Sequence, residues 1–319
     1  MSMTRAATTA ALLFCISVAS AVQAAEKIAF RLSWIADGSV LPPYMAAKAK
    51  GFYMQEGLDV EFLAGTGSAD AVRIIAAGTN VIGNADAVSL IQGRVRDVPV
   101  RGIMAIDSRN PFVILALKKS GIAKLQDLPG KTGGMVPGGS PYAIYKTLLR
   151  GHGIDGSRIR EVTVPAPGFA QLASGQVDFI NTFDNATPIL MAMTQGSINV
   201  IKGTDYGLDI LGLIVIANEQ FLKEKPNVVR AFLKATRRGM EYTRDNVDEV
   251  ADMIVQAYPA LKKPLQVELI KVWMPYWVRD DYAISAERMS KTQDLLFEQK
   301  MITQKGSVPT FFTNEFVPR

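Results

Sequence analysis

The sequence predicts an α/β fold built from two lobes. Strand-like and helix-like segments alternate over residues 28 to 105, and a second cycle of the same kind begins after residue 110. Strands separated by helices of this length favour parallel pairing in a sheet covered by helices. A long apolar strand-like segment returns at residues 211 to 216. The chain is therefore expected to cross between the lobes near residues 107 to 114 and again near 209 to 216.

The elements of the first cycle are predicted from the periodicity of the apolar residues and from the glycines that end helices. Val60 and Phe62 alternate with Asp59 and Glu61, which is the period of a half-buried strand. Gly51 suits the left-handed position that follows a helix. Together these signals predict strands at residues 28–33, 58–63, 81–84 and 98–105, and helices at 42–50, 69–77 and 87–94.

The second cycle and the C-terminal third follow the same logic. The patterns predict strands at residues 112–118, 161–164, 178–181, 198–202 and 211–216, and helices at 141–150, 169–174, 186–193 and 226–244. Residues 125–131 are a turn-rich entry to this cycle. The remainder, to about residue 304, is expected to be helical, with loops at Pro259, Pro264 and Pro275.

The first 24 residues have the parts of a secretory signal peptide. Arg5 gives a positive start, residues 10–22 are apolar, and Val22-Gln23-Ala24 is a small-x-small cleavage pattern. Cys15, the chain's only cysteine, lies within the apolar run and does not fit a lipid anchor. The mature chain is therefore expected to reach the periplasm and to contain no disulfides. In that mature chain, we expect lobe 1 to comprise residues 25–110 and 214–319, and lobe 2 to comprise residues 111–213.

The composition narrows the classes of partner. The 35 basic and 30 acidic residues give a net charge of +5 with no basic run, so no nucleic-acid partner is expected. About 295 residues remain after the leader, which suits two domains. A single histidine, His152, and no mature cysteine leave no familiar metal or nucleophile set. We expect a monomer without cofactor, metal or enzymatic activity.

Residues 44–62, YMAAKAKGFYMQEGLDVEF, resemble a signature of ABC-transporter substrate-binding proteins: a helix ending in glycine, an aromatic turn, then a Gly-Leu-x-Val strand. Residues 125–131, LQDLPGK, resemble the motif that opens the second lobe in that family. The resemblance is to type II periplasmic binding proteins over about residues 27–305. It covers the branch that binds thiamine pyrimidine precursors, alkanesulfonates, taurine or nitrate. It implies a solute held in an interlobe cleft, hinge closure, and delivery to ABC permease subunits.

Ligands of such sheets lie beyond the carboxyl ends of the strands, which selects five loops. The first loop contains Trp34 and Asp37, where the family often has an aromatic residue and Asn or Asp. The alternative is that Trp34 is a core residue and Asp37 caps the next helix. In the second, residues 65–68, glycines free backbone N–H groups beside Thr66 and Ser68. A plain turn with an N-cap is the alternative there.

The third and fourth loops come from different lobes. Asn84 and Asp86 follow a predicted strand, although Asp86 would equally serve as the next helix's N-cap. The fourth loop resembles the Gly-Ser-rich loop of sulfonate binders, and its candidates are Gly139, Ser140 and Tyr142. Pro141 removes one N–H donor there, which slightly disfavours sulfonate or sulfate.

The fifth loop contains Phe183 and Asp184. Phe183 offers a face for ring stacking, and Asp184 offers two acceptors to an amino-substituted heterocycle. Pyrimidine-binding relatives carry an acidic residue near this place. The alternative is that Asp184 caps the predicted helix at residues 186–193.

These residues favour a receptor for a small aromatic heterocycle, such as a thiamine pyrimidine precursor, and riboflavin fits them as well. A sulfonate, taurine or nitrate receptor is the first alternative. Such a receptor would need several hydrogen-bond donors to the bound anion, ideally including an arginine. Among the candidate arginines, only Arg109 lies at a predicted strand end near a crossing. The second alternative is a single-turnover pyrimidine synthase. Those relatives use a histidine and a cysteine-rich run, whereas His152 lies between glycines in a predicted surface turn.

Overall fold

The structure is a computed structural model that describes residues 24–137 and 140–318. The predicted signal peptide, apart from Ala24, lies outside the described residues, and so does Gly139. The described chain forms two five-stranded sheets, ordered β2-β1-β3-β10-β4 in lobe 1 and β7-β6-β8-β5-β9 in lobe 2. The two-lobe α/β fold predicted from the sequence is confirmed.

Lobe 1 begins the chain, lobe 2 interrupts it, and the chain then returns to lobe 1. The first part comprises β1 Glu26–Arg31, α1 Pro42–Ala49, α2 Phe52–Gln55, β2 Leu58–Leu63, α3 Ser68–Ala76, β3 Ile82–Asp86, α4 Ala87–Arg94 and β4 Val100–Ala105. Lobe 2 comprises β5 Phe112–Leu117, β6 Thr132–Met135, α5 Ser140–Gly151, β7 Arg160–Thr163, α6 Phe169–Ser174, β8 Phe179–Phe183, α7 Ala186–Met193 and β9 Ile198–Lys202.

The returning chain adds β10 Leu213–Asn218, α8 Glu219–Glu224, α9 Pro226–Asp245, α10 Val247–Ala257, α11 Lys263–Trp273 and α12 Ala286–Glu298. Two crossing segments, residues 106–111 and 207–212, connect the sheets. They hydrogen-bond to each other, from Asn110 N to Ile210 O at 2.9 Å and from Asn110 Nδ2 to Leu211 O at 3.2 Å. The lobe boundaries at 110/111 and 213/214 agree with this layout and stay a prediction.

The prediction of parallel pairing is wrong for the two strands that follow the crossings. β10 runs antiparallel to β3 and β4, and β5 runs antiparallel to β8 and β9. Each of these strands enters its sheet from the other lobe, and so runs against the strands beside it. Consequently Leu213 pairs with Asp86, and Phe112 pairs with Phe183. The ends of β3 and β8 therefore lie beside the crossings.

Local differences from the predicted elements have simple causes. No strand was predicted at β6, which directly follows the turn-rich segment 125–131, because Gly133 and Gly134 weaken the strand pattern. A Cβ atom at Gly133 would lie 2.5 Å from the Phe179 ring, so the ring needs that glycine. The expected aromatic turn after Gly51 is the short helix α2. Pro264 lies in the first turn of α11 rather than in a loop, a position where proline is tolerated.

The signature at residues 44–62 packs the core of lobe 1. Phe30 and Phe232 stack at 5.1 Å between ring centroids, and Tyr53 extends the stack at 5.1 Å from Phe232. Gly51 ends α1 in the left-handed region, with φ 72°. Helices α1 and α9 approach so closely that a Cβ at Gly239 would lie 1.9 Å from Pro43 O. These residues fix the fold and aim the loops that follow.

Within residues 24–137 and 140–318, none of the helices combines the length and the apolar character that a membrane span requires.

Candidate functional site

In the described part of the chain, three hydrogen bonds between side chains join the two lobes along the cleft, and together they form what we call the interlobe seam. Ser140 Oγ at the start of α5 donates to Asp86 Oδ2 at 3.2 Å. Asn185 Nδ2, before α7, donates to Ser39 Oγ at 3.5 Å. Tyr276 Oη, just after α11, donates to Asp184 Oδ2 at 2.7 Å. The predicted loops of both lobes therefore meet in the structure, and three of the five loops take part directly.

The first loop brings a carboxylate next to this seam. Asp37 is 5% exposed, and its Oδ1 accepts hydrogen bonds from Ser39 N at 2.9 Å and from Ser39 Oγ. Desolvation raises the pKa of Asp37 against the lowering effect of those donors. The residue at the α1 N-cap is Leu41, so Asp37 holds a loop turn and does not cap that helix. Trp34 is half-buried against the core of lobe 1.

The second loop is held by backbone packing. A Cβ at Gly65 would lie 2.0 Å from Leu32 O, so only glycine fits there. The predicted capping role of Ser68 is wrong, since its Oγ accepts from Asp86 N at 3.0 Å and α3 has Gly67 as its N-cap. Thr66 is exposed, and its hydroxyl donates to Asp70 at 3.0 Å. Ser68 thus supports the third loop.

The third loop divides its two polar residues. Asn84 is fully buried; its Oδ1 accepts from Ser33 N at 2.6 Å, and its Nδ2 donates to Tyr44 Oη at 3.3 Å. Through the bond to Ser33 N, Asn84 therefore holds the backbone of the first loop in place. Asp86 caps α4, accepting from Ser89 N at 2.7 Å, and this confirms the alternative role weighed for it. Its second oxygen reaches Ser140.

The fourth loop meets the cleft through Ser140. Tyr142 points elsewhere, because its hydroxyl donates to Glu161 Oε2 on β7 at 2.7 Å. Its ring lies over that of Tyr145, with centroids 6.2 Å apart. The structure does not bring Tyr142 together with the other predicted residues.

The fifth loop is the most enclosed. Phe183 is half-buried, and its ring meets Trp273 edge to face with centroids 6.5 Å apart. Asp184 is fully buried; Thr187 Oγ1 and Tyr276 Oη each lie 2.7 Å from its carboxylate, and Lys202 Nζ lies at 3.4 Å. The residue at the α7 N-cap is Asn185, so Asp184 is not that cap. Contact between Asp184 and a ligand stays a prediction.

Sequence reasoning missed part of this seam. Ser39 and Asn185 lie one or two residues from predicted site residues but carried no motif of their own. Tyr276 belongs to the aromatic-dense stretch at residues 273–277, a composition that more often indicates interlobe or helix packing than a ligand cage, and burial raises the pKa of its hydroxyl. Lys202 ends β9 and gave no signal. A partner from a distant segment can be found only when the lobes are assembled.

Two cavities lie apart from the predicted loops. One, of about 330 Å³, is lined by His152, Tyr206 and residues of α12. His152 lies in the turn after α5, as predicted, with Nδ1 3.0 Å from Leu148 O. The other cavity, of about 700 Å³, lies between α7 of lobe 2 and α11 of lobe 1. His152 therefore lies between lobe 2 and α12 of lobe 1, in a cavity that none of the predicted site residues lines.

Comparison with known proteins finds relatives of two kinds, some named as binding proteins and some named as synthases. A riboflavin-binding protein, RibY, from Chloroflexus aurantiacus is 27% identical over 311 residues, covering 92% of this chain and 86% of that protein. A formylaminopyrimidine-binding protein from Halalkalibacterium halodurans is 26% identical, covering 79% and 77%. A 4-amino-5-hydroxymethyl-2-methylpyrimidine phosphate synthase from Legionella pneumophila is also 26% identical, covering 86% and 88%.

Solved structures share the fold at low identity. The alkanesulfonate-binding protein SsuA from Xanthomonas axonopodis pv. citri, bound to MOPS, superposes with a TM-score of 0.72 at 17% identity, covering 91% of this chain and 98% of that one. The family model described as NMT1/THI5 like matches residues 40–250. The resemblance predicted from the sequence is thus confirmed, and the chain belongs to the NMT1/THI5-like family.

Proposed function

We propose that this protein is the extracytoplasmic solute receptor of an ABC importer. It binds one small aromatic heterocycle, such as a thiamine pyrimidine precursor, between its lobes and presents it to permease subunits. The predicted export signal, the two-lobe fold and the family support this role. The printed names of the relatives, which include riboflavin and formylaminopyrimidine binding, support the ligand class.

The observation that carries the proposal is the chemistry of the interlobe seam. Asp86 accepts a hydrogen bond from Ser140 across the cleft, and Asp37 accepts one from Ser39, which itself meets Asn185 of the other lobe; both carboxylates are largely buried. Half-buried Trp34 and Phe183 lie in loops of the same seam and offer aromatic faces. Acceptors beside aromatic faces suit a flat ring that carries amino or ring N–H donors. Thr66, Ser68 and Ser140 complete the ligand surface that we propose.

A thermal-shift screen tests this proposal directly. The probes are riboflavin, 4-amino-5-hydroxymethyl-2-methylpyrimidine, a formylaminopyrimidine, taurine and nitrate. A ligand that binds only the native state at a hundredfold excess over its Kd adds about 2.7 kcal/mol to the free energy of unfolding. We expect an aromatic probe to raise Tm by several degrees while the anions do not. No shift with any probe at a hundredfold excess over micromolar affinity would remove the ligand proposal.

A sulfonate receptor is the second candidate, because sulfonate-binding proteins share the fold. None of the predicted contact residues is cationic, and the carboxylates of Asp37, Asp86 and Asp184 repel an anion. A tight response to taurine alone in the same screen would favour this candidate over the first.

The synthase reading rests on relatives that carry that name. We propose that this chain is a receptor rather than an enzyme, since its one histidine lies away from the seam and Cys15 lies in the predicted leader. Mass spectrometry of the protein incubated with its bound ligand checks this. A receptor returns both unmodified, whereas a single-turnover synthase consumes its own side chains.

A further inference from the structure

The contact between Tyr276 and Asp184 differs from the other interlobe contacts in its position. Tyr276 belongs to lobe 1 and follows α11, whereas Asp184 follows β8 of lobe 2. Its Oη–Oδ2 distance of 2.7 Å is the shortest of the three bridging contacts. The acceptor is fully buried, so water does not compete for it. A hydroxyl bonded to a carboxylate is among the stronger hydrogen bonds in proteins.

Both residues are tied to the first crossing segment, but at opposite ends. Ser108 N and Ser108 Oγ donate to Tyr276 O at 2.7 Å and 2.9 Å. Asp184 N donates to Pro111 O at 2.9 Å. Tyr276 therefore moves with Ser108, and Asp184 moves with Pro111. Any bend of the chain between Ser108 and Pro111 changes the distance between the hydroxyl and the carboxylate.

A second set of contacts anchors the lobe 1 side of this pair. Trp273 Nε1 donates to Asp107 Oδ1 at 3.2 Å, and Leu213 N donates to Asp107 Oδ2 at 3.0 Å. The end of α11 is thus fixed to the first crossing segment and, through Asp107, to the start of β10. Phe183, next to Asp184, contacts the same Trp273 ring.

We propose that Tyr276 and Asp184 form a hinge latch that favours the closed arrangement of the lobes, so that both are positioning residues for ligand binding. Breaking the latch lets the crossing segment bend and the cleft open. Lys202 holds the carboxylate from the lobe 2 side, with its Nζ 3.4 Å away. The latch deepens the proposed function, because the cleft that it closes is the one proposed to hold the solute.

The consequence for binding is quantitative. A ligand that needs the closed arrangement binds with an apparent affinity scaled by the closed fraction. A hydrogen bond to a charged group contributes enough to shift such an equilibrium by roughly tenfold or more. Removing the Tyr276 hydroxyl should therefore raise the open-to-closed ratio about tenfold. The ring of Phe at this position keeps the packing.

Distances between spin labels test the latch without any ligand. Asp59→Cys on β2 and Thr163→Cys on β7 place labels on exposed positions of the outer strands of the two sheets. Cys15, in the predicted leader, is the only native cysteine, so the mature chain gives no background labelling. We expect the wild-type protein to populate the closed distance and Tyr276→Phe to shift toward a longer one.

Two variants make the test specific. Tyr242→Phe removes a hydroxyl that bonds Glu249 within lobe 1, so it serves as the matched control and should leave the distances unchanged. Asp184→Asn keeps an acceptor for Tyr276 without the charge, so it should give an intermediate shift. A purely structural role would lower Tm in Tyr276→Phe without changing the distances.

The outcomes separate the latch from the proposed function. A distance distribution in Tyr276→Phe that matches the wild type would overturn the latch, as would a wild-type protein with no closed population. If no probe of the ligand screen binds, the receptor proposal fails, and the label distances still decide the latch. If riboflavin or the aminopyrimidine binds, Tyr276→Phe should weaken that probe by up to about tenfold, the full factor applying when the open state predominates, while Tyr242→Phe leaves its affinity unchanged.

Discussion

Asp86 in lobe 1 and Asp184 in lobe 2 occupy corresponding places. Each lies where a strand ends and a helix follows, beside the strand that arrives from a crossing. Each accepts a hydrogen bond from a hydroxyl of the other lobe. Asp86 meets a serine at 3.2 Å and keeps some exposure, 7%, whereas Asp184 meets a tyrosine at 2.7 Å with 0% exposure.

The same local pattern, a carboxylate between the end of a strand and the start of a helix, has a different kind of interlobe partner in each lobe. The partner of Asp86 is a short side chain at the start of α5, so a ligand is able to replace it at little cost. The partner of Asp184 is anchored to the crossing segment, and Lys202 and Thr187 also hold the carboxylate. We therefore propose that Asp86 meets the solute and that Asp184 governs the hinge.

The largest expected effect is the loss of the buried carboxylate at the hinge. Asp184→Ala leaves the hydroxyls of Tyr276 and Thr187 without an acceptor, and should lower the free energy of unfolding by about 3 kcal/mol. Urea denaturation measures it. Asp184→Asn, which keeps an acceptor, is the control and should lose clearly less. Equal losses would mean that the charge, and not the acceptor, stabilises this region.

The free energy of unfolding contributed by the hinge region should also depend on pH. Burial raises the pKa of Asp107 from 3.8 to about 8, against the hydrogen bonds from Leu213 and Trp273. Between pH 4 and pH 8 the folded state keeps a proton that the unfolded chain releases. The free energy of unfolding contributed by Asp107 therefore falls as the pH rises through that window and levels off above pH 8.

Urea denaturation of the wild type and Asp107→Asn at pH 5, 6, 7 and 8 measures this contribution. The stability of the wild type relative to the variant should decline with pH, by at most about 1.4 kcal/mol per pH unit for one proton. A difference that stays constant across the window would show that Asp107 ionises normally in the folded protein.

A smaller effect is expected at the cleft side of the comparison. Asp86→Ala removes the N-cap of α4 and should cost about 1 kcal/mol in the free energy of unfolding. Asp86→Asn keeps the cap and should remain within a few tenths of a kcal/mol of the wild type. If the Asn variant is as unstable as the Ala variant, the charge of Asp86 stabilises lobe 1, and its assignment to the solute weakens.

The smallest effect should come from Ser140→Ala. The half-buried hydroxyl makes one interlobe hydrogen bond at 3.2 Å, so its loss should change the free energy of unfolding by about 0.5 kcal/mol. Label distances measured as for the hinge should move less than in Tyr276→Phe. A larger shift for Ser140→Ala than for Tyr276→Phe would reverse the comparison and place the main closing contact in the cleft.

Much of the fold could be predicted because its signals are local. The alternation at Val60 and Phe62 and the left-handed glycine at Gly51 are properties of neighbouring residues, and both elements were confirmed. The direction of β5 and β10 could not be predicted, because it depends on which sheet each strand enters. The short strand β6 was missed because Gly133 and Gly134 weaken its strand pattern, and the residue that Gly133 packs against, Phe179, is distant in the sequence.

Hydrophobic periodicity and turn residues act over a few positions, so the sequence was enough to predict the two-lobe α/β architecture, five loops at strand ends, and Asp86 and Asp184 as candidate site residues. The partners of these two carboxylates, Ser140 and Tyr276, lie 54 and 92 residues away and are set by the packing of the lobes. A carboxylate's role depends on the donor that faces it and on its burial, and both arise only when the lobes pack together.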